Sequence, residues 1–363
     1  MPSTVSDKVL LIPGLSYVFA RSILALVGSP LRGTKGAPTV SDHVLRTAFR
    51  TMFTHLTTGQ LQILLPPFTT IYTKFCSQKN LTPRSVDIPN TKTKGFWLGD
   101  PDSATYVMAY FHGGGFVMPG LPQHLEFLSR VVQWSNGKLA VFCNAYTLAP
   151  EGLYPLQIAE CVEALRYVLS LPNRTPDTTM VGGDSAGGNL VCCVLSHISN
   201  HPHPRPDVVK PFDLAGKLHG ALMIAPWVSS DASQFKSMTE FAKRDVVNTE
   251  CANYWIDVYK GRGKGIQDDE YTVPEQAPPS WWSGVKVSSV LITVGDEEVL
   301  RDGITSFASK FKEGVGSDVL KLVVGKREIH DAPLYPLPDS ELDKLGDTCQ
   351  EGAIKMWLKE KLQ

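Results

Sequence analysis

The 363-residue chain has little net charge of either sign: 35 Lys and Arg face 36 Asp and Glu, a formal charge of -1. With no basic stripe, nucleic acid is not expected as its main partner. The 7 cysteines, Cys76, Cys143, Cys161, Cys192, Cys193, Cys251 and Cys349, include no C-x-x-C pair and no His/Cys spacing of the kind that holds a metal. Their number is odd and several lie in apolar runs, so they read as buried free thiols of a reducing, intracellular and cytoplasmic setting. There is no internal repeat and no low-complexity tract. An unbroken membrane-spanning run is also missing. Val9 to Val27 is mostly apolar but is interrupted by Pro13, Gly14 and Arg21, and no small-residue cleavage site follows it. That stretch is expected to be an amphipathic helix covering the core or the mouth of a site. Peripheral contact with an internal membrane is the alternative.

What the chain does have is enough length for one large α/β domain with an added layer. Residues 1–84 are helical in pattern, with Val44, Ala48, Met52 and Phe53 at helical spacing. Ser85 to Ile88 and Gly95 to Leu98 read as an antiparallel edge. From Tyr106 onward strands alternate with helices, which predicts a mainly parallel sheet. The expected strands are Tyr106–Phe111, Leu139–Ala145, Asp177–Val181, Leu218–Ala225, Val290–Val294 and Leu320–Val324. Helices are expected over Ile158–Ser170, Asn189–Ile198, Thr305–Lys312 and Asp347–Lys361. Residues 228–284 interrupt the alternation.

One stretch stands out, Gly182-Gly183-Asp184-Ser185-Ala186-Gly187-Gly188-Asn189. It contains a G-x-S-x-G pattern between a strand and a helix, the context in which a serine hydroxyl is held clear of a sheet. His112-Gly113-Gly114-Gly115-Phe116 follows another strand, and three glycines leave backbone N–H groups open to an oxyanion. A serine needs a base, and His330 lies in the loop after the last strand, where the chain order Ser, acid, His places one. His43, His55, His201 and His203 read as loop or surface residues, and His112 as a packing residue. The base needs an acid. Gly295 is followed by Asp296, Glu297 and Glu298, and spacing does not choose among them.

Together with Tyr146-x-Leu148-Ala149-Pro150-Glu151, these motifs resemble the hormone-sensitive-lipase-like esterases of the α/β-hydrolase superfamily. Leu195-Ser196-His197, His201-Pro202-His203-Pro204 and Ala225-Pro226-Trp227 further resemble fungal members similar to steryl acetyl hydrolases. The resemblance runs from about Tyr106 to the C-terminus. It implies an α/β-hydrolase fold: a mostly parallel eight-stranded sheet flanked by helices, with residues 85–363 as the core. Residues 1–84 and 228–284 would supply a helical cap. It implies Ser185 as nucleophile and His330 as base. Aligning Gly295, Leu300 and Asp302 with the family's acid motif makes Glu298 the acid, where Asp is usual. Gly114, Gly115 and Ala186 would form the oxyanion hole. Phe116, Met118, Trp227, Tyr254 and Trp281 (with Trp282) would line an apolar pocket. Thr147 stands where the wider family often has Arg. The expected reaction is hydrolysis of a lipophilic ester, of a sterol or secondary metabolite, with no cofactor and no metal. A non-hydrolytic biosynthetic enzyme and a ligand-binding protein on the same fold are the alternatives.

Overall fold

A computed structural model describes residues 4–33, 36–229 and 233–363. The expected helical segments 1–84 and 228–284 therefore include a few positions, 1–3, 34–35 and 230–232, that lie outside the described residues. Eight strands form one sheet in the order β1-β2-β4-β3-β5-β6-β7-β8. β1 (Ser85–Asp87) and β2 (Lys94–Leu98) are antiparallel to their neighbours. β3 (Tyr106–Phe111), β4 (Leu139–Ala145), β5 (Thr179–Asp184), β6 (Gly220–Ile224), β7 (Val290–Gly295) and β8 (Leu320–Gly325) are parallel. The central strands are apolar on both faces because helices cover both. Along β3, Val107, Ala109 and Phe111 enter one buried cluster, and Met108 and Tyr110 the other.

Helices α5 (Pro122–Trp134), α6 (Leu156–Leu169), α7 (Ala186–Ile198), α10 (Arg301–Val315) and α12 (Gln350–Lys361), with the short α11 (Asp339–Leu345), complete the layers. Several boundaries differ from the sequence-based expectation. β5 begins at Thr179, because Pro176–Thr178 forms a 3-10 turn, and it runs on to Asp184. α7 begins at Ala186, directly after the serine, not at Asn189. α5 was not expected at all.

The N-terminal segment holds α1 (Val5–Gly28), α2 (Val40–His55), α3 (Thr58–Leu64) and α4 (Phe68–Lys79). α1 is continuous through Pro13, and none of its residues is buried, so it does not cover the core. α4 departs from the expectation of a cap running to residue 84. Its Phe68, Ile71, Tyr72 and Phe75 pack with Phe96, Tyr110 and Leu125 on one face of the sheet. The segment after β6 carries α8 (Ser237–Glu240) and α9 (Thr249–Tyr259). It meets the N-terminal helices directly. Asn248 Nδ2 donates to Thr54 Oγ1 (2.9 Å), Arg50 Nη1 donates to the Asp245 carbonyl (2.7 Å), and Phe53 sits edge-on to Trp255. All seven cysteines are buried and unpaired.

Candidate active site

The site lies at the carboxyl ends of the parallel strands. Between β5 and α7 the chain reverses at Ser185, whose φ and ψ are 50° and -118°. For a residue with a Cβ this is strained, at a cost of about 1–3 kcal/mol, and the surroundings must impose it. They do so through three backbone bonds: Ser185 N–H donates to the Ile224 carbonyl, and the Ser185 carbonyl accepts from Trp227 and Asn189 N–H. Gly187 is required for close approach, since a Cβ there would lie 1.9 Å from the Phe111 carbonyl oxygen. Asn189 then ties the turn to the chain after β6, donating to the Trp227 and Thr272 carbonyls.

His330 stands in the loop after β8. Its Nε2 is 2.8 Å from Ser185 Oγ and its Nδ1 is 2.8 Å from Glu298 Oε1. Glu298 is fully buried, and its Oε2 accepts from Gly295 N–H at 2.9 Å. The two neighbouring carboxylates point elsewhere. Asp296 Oδ1 accepts from Arg327 N–H, and Glu297 lies 3.8 Å from both Arg46 and Arg327. With Nδ1–H donating to Glu298, His330 presents Nε2 as an acceptor toward the serine hydroxyl.

A second carboxyl crowds the histidine. Asp331, in the left-handed region at φ 52°, places Oδ2 3.2 Å from His330 Nε2. Burial drives the Asp331 pKa well up, and the neighbouring carboxylates of Asp184, Glu298 and Asp245 reinforce the rise against the opposing pull of His330. For His330, burial works to lower the pKa. Asp331 and then Glu298 overcome it and push the value up to about 10. The two groups therefore compete for one proton. With the proton on Asp331, His330 is free to act as a base.

The Gly113–Gly115 loop sits on the other side of Ser185. Gly114 and Gly115 have φ of 109° and 61°, values that glycine adopts without strain. Among the described residues, none accepts a hydrogen bond from the N–H of Gly114, Gly115 or Ala186. These donors are thus available to an oxyanion beside Ser185 Oγ.

Two buried carboxylates that sequence reasoning did not single out hold these loops. Asp184 accepts from the Tyr110 hydroxyl (2.7 Å), Gly113 N–H (3.0 Å) and His124 Nε2 (3.0 Å). Leu121 N–H donates to His124 Nδ1, so the ring proton sits on Nε2 and points at Asp184. Burial opposes ionisation of Asp184, but His124 and the Tyr110 hydroxyl hold its pKa below the usual carboxylate value. Asp245 accepts from Val246 and His330 N–H at Oδ1, and from Val299 N–H at Oδ2. Burial raises its pKa to about 6. His112 is a packing residue, stacked between Phe68 and Tyr146, and burial lowers its pKa to about 4. Thr147 bonds both Glu160 oxygens at 2.7 Å.

The aromatic residues expected to line a pocket divide. Phe116 and Met118 are buried beside the glycine loop, with Phe116 stacked on Tyr259 and Trp227. Tyr254 is half-buried and accepts from Thr58 N–H, joining α9 to α3. Trp281 is misplaced by the sequence reading. It stacks on His201 and donates to Ser196 Oγ, eleven residues along α7 from Ser185 and so about 16 Å away along the helix axis. Trp282 packs with Phe307 and Phe311 in the core. Trp255, not anticipated, is the ring that meets the glycine loop: a Cβ on Gly115 would lie 2.5 Å from it.

Comparison with known proteins bears on the family and the fold. A family model described as the alpha/beta hydrolase fold matches residues 108–334. A protein of Acanthamoeba polyphaga mimivirus, named as an alpha/beta hydrolase, is 44% identical over 246 residues, 66% of this chain and 64% of that protein. The versiconal hemiacetal acetate esterase of Aspergillus parasiticus is 30% identical over 200 residues, 52% of this chain and 58% of the esterase. The chain thus spans less than two thirds of each of these relatives. Among solved structures, an esterase of the bacterial hormone-sensitive lipase family superposes with a TM-score of 0.62 at 22% identity, covering 97% of this chain and 99% of that one. The family model covers more than half of the chain, and the chain belongs to the α/β-hydrolase fold family.

Proposed function

We propose that this chain is a serine hydrolase that cleaves a lipophilic carboxylic ester, such as an acetate of a sterol or secondary metabolite, through an acyl-enzyme. The observation that carries the reading is His330 bridging Ser185 Oγ and Glu298, at 2.8 Å on each side. As Ser185 Oγ bonds to the ester carbonyl carbon, its proton passes to His330 Nε2. Glu298 stabilises the resulting imidazolium and fixes the ring. The carbonyl oxygen, now negative, is held by the N–H groups of Gly114, Gly115 and Ala186. The tetrahedral adduct collapses and the C–O bond to the alcohol breaks. His330 returns its proton to the departing alkoxide. Water then attacks the acyl carbon while His330 takes its proton, the bond to Ser185 Oγ breaks, His330 returns the proton to Oγ, and the carboxylic acid leaves. The acetate reading draws on the Aspergillus relative, whose name gives an acetate ester as its substrate. The lipophilic reading draws on the apolar residues around the serine turn and the glycine loop: Trp227 bonds the Ser185 carbonyl and stacks with Phe116, and Trp255 meets Gly115. The seven buried free thiols support an intracellular setting.

Turnover of short p-nitrophenyl esters and covalent labelling by a fluorophosphonate test the reading, with Ser185→Ala as control. Wild type should label and turn over. The variant should do neither, with a fall of about 10⁶-fold in kcat. Labelling that persists in Ser185→Ala would identify a different nucleophile. Labelling without ester turnover would favour transfer to another acceptor or a non-hydrolytic reaction, and neither in wild type would favour a binding protein.

A further inference from the structure

Two features lie outside the site. The first is α1. Leu11, Gly14, Val18, Ser22 and Ala25 recur every three or four residues and are half-buried, forming the seam that α1 turns toward α2 and α3. The seam is fastened: Asp7 accepts from Thr57 Oγ1 at 2.6 Å, and Tyr17 packs edge-on to His55. About half a turn round the helix lie Val9, Ile12, Ala20, Ile23 and Val27. Val9, Ile12 and Val27 are 66%, 74% and 73% exposed. A surface helix of a water-soluble protein carries polar residues on that side. Apart from Ser16, this one carries an apolar stripe along that side, and Leu10, Phe19, Leu24 and Leu26 extend the exposed apolar surface beyond it.

The second feature adjoins the C-terminal end of α1. A cavity of about 230 Å³ is lined by Arg32, His43, Arg46, Arg50, Lys243 and Arg244. Like charges gather in a small space in a chain whose overall charge is -1. Among the described residues, only Arg46 of these six has a carboxylate within 4 Å, and that is Glu297 at 3.8 Å. Arg46 is 9% exposed, and its Nη1 is buried without a hydrogen-bond partner. The two non-bridging oxygens of a phosphodiester headgroup, or the three of a monoester, would accept from the donors of this set that the chain leaves open.

We propose that this face docks on an anionic lipid surface, with the apolar side of α1 in the acyl boundary and a lipid headgroup phosphate in the pocket of Arg32, Arg46, Arg50, Lys243 and Arg244. The pocket gives the chemistry of the ligand, and the adjoining stripe gives its source. A soluble phosphate compound would use the cations but leave the stripe in water. A second protein copy would cover the stripe but leave the cations unmatched. By length and composition the helix from Val5 to Leu31 could cross a membrane; its seam against α2 and α3, fastened through Asp7 and Tyr17, is what favours a helix that stays on the protein and lies in the interface. α2 also reaches the candidate site through Phe53 and Trp255, so docking would bring lipophilic substrate close to that side of the molecule.

Co-sedimentation of the full chain with vesicles tests this, independently of any esterase activity. Vesicles of phosphatidylcholine mixed with phosphatidylserine should retain the protein, and phosphatidylcholine alone should retain much less. Lys243 is exposed, so Lys243→Ala should leave the fold intact and weaken anionic-vesicle binding about fivefold, the ratio for about 1 kcal/mol per cation. Arg244→Glu in the same chain should weaken it further. Ile12→Glu with Ile23→Glu should abolish retention on both vesicle types, with thermal melting checking that each variant is folded. Equal retention on neutral and anionic vesicles, or no response to Lys243→Ala and Arg244→Glu, would overturn the headgroup site. A chain that sediments with neither, yet binds inorganic phosphate by calorimetry, would place a soluble ligand in the pocket and overturn the lipid reading.

Discussion

The two sides of Ser185 are braced by buried carboxylates of opposite character. On the oxyanion side, Asp184 belongs to the elbow itself and reaches one strand across the sheet to Gly113, with Tyr110 and His124 completing its shell. On the base side, Asp245 comes from the segment after β6 and reaches the backbone of both His330 and Val299, next to Glu298. Asp184 is held in its charged form by its partners, whereas Asp245 has only backbone donors and its pKa rises. One side is built from the sheet, where positions are over-determined. The other is built from loops, and it relies on a carboxylate that is costly to keep charged. An insertion far from the motif therefore governs where the base stands.

The largest expected effect comes from breaking the base side at its acid. Glu298→Gln keeps the shape and removes the charge, and kcat should fall by about 10⁴-fold. Asp296→Asn and Glu297→Gln, whose side chains face Arg327 and Arg46, should stay within roughly tenfold, a cost of about 1.4 kcal/mol. Steady-state kinetics on one soluble ester checks all three, and a comparable loss in Asp296→Asn would move the acid. On the oxyanion side, Gly114→Val introduces a Cβ only 2.8 Å from the Met118 carbonyl oxygen at a φ that valine avoids. Displacing one donor should cost about 10²–10³ in kcat with a smaller change in KM. A normal kcat would remove Gly114 from the oxyanion hole.

Much of this was legible in the sequence, for reasons that differ from part to part. The β-α alternation and the turn at Gly183–Gly187 are local signals, so the sheet and the elbow could be read directly. Spacing does not separate Glu298 from Asp296 and Glu297, because all three follow one strand; the family alignment does, supported by Glu298 lying deeper in the loop. Asp184 lies inside the motif but its role is not legible there, since its partners Tyr110 and His124 are 74 and 60 residues away. Asp245 carried no signal at all: it sits in an irregular segment, and its partners are backbone N–H groups, which leave no trace in composition. α5 was missed although Leu125, Leu128 and Val131 have helical spacing, because Pro122 reads as a break and is in fact at the first helical position. Trp281 misled because aromatic character is shared by pocket and packing residues.

Stability separates the two carboxylates more gently than kinetics separates the two sides. Asp184→Asn turns a buried acceptor of three hydrogen bonds into a group whose amide faces donors, and it should cost about 3–5 kcal/mol. Asp245→Asn keeps one acceptor oxygen for Val246 and His330 and should cost about 1–3 kcal/mol. Their pH dependences have opposite signs. The folded pKa of Asp184 is depressed, so its contribution is present above the unfolded value of about 3.9 and is lost as pH falls below it. The folded pKa of Asp245 is raised to about 6, so stability is greatest below about pH 4 and declines as pH rises toward 6. Denaturant melts of the variants against wild type at several pH values would show this crossing, and parallel curves would mean that neither carboxylate titrates differently on folding.

The smallest effect is the one that tests the base side most finely. Asp331 lies 3.2 Å from the same His330 nitrogen that faces Ser185, and its Oδ1 is buried without a partner. A carboxylate there favours imidazolium, which raises the His330 pKa and removes the base. Burial and the neighbouring carboxylates favour the neutral acid instead, which frees the base. The two groups titrate together, and the apparent pKa values on the acid limb belong to the pair. Asp331→Asn fixes this neighbour in a neutral form of the same shape. The pKa of His330 should then fall, so the acid limb of kcat/KM moves to lower pH, while the plateau changes by less than about tenfold. The variant should therefore be the more active protein, relative to its own plateau, at acid pH. An acid limb that does not move would show that His330 and Asp331 titrate independently, and a collapse of the plateau would make Asp331 a participant in the reaction and not a neighbour that tunes the base.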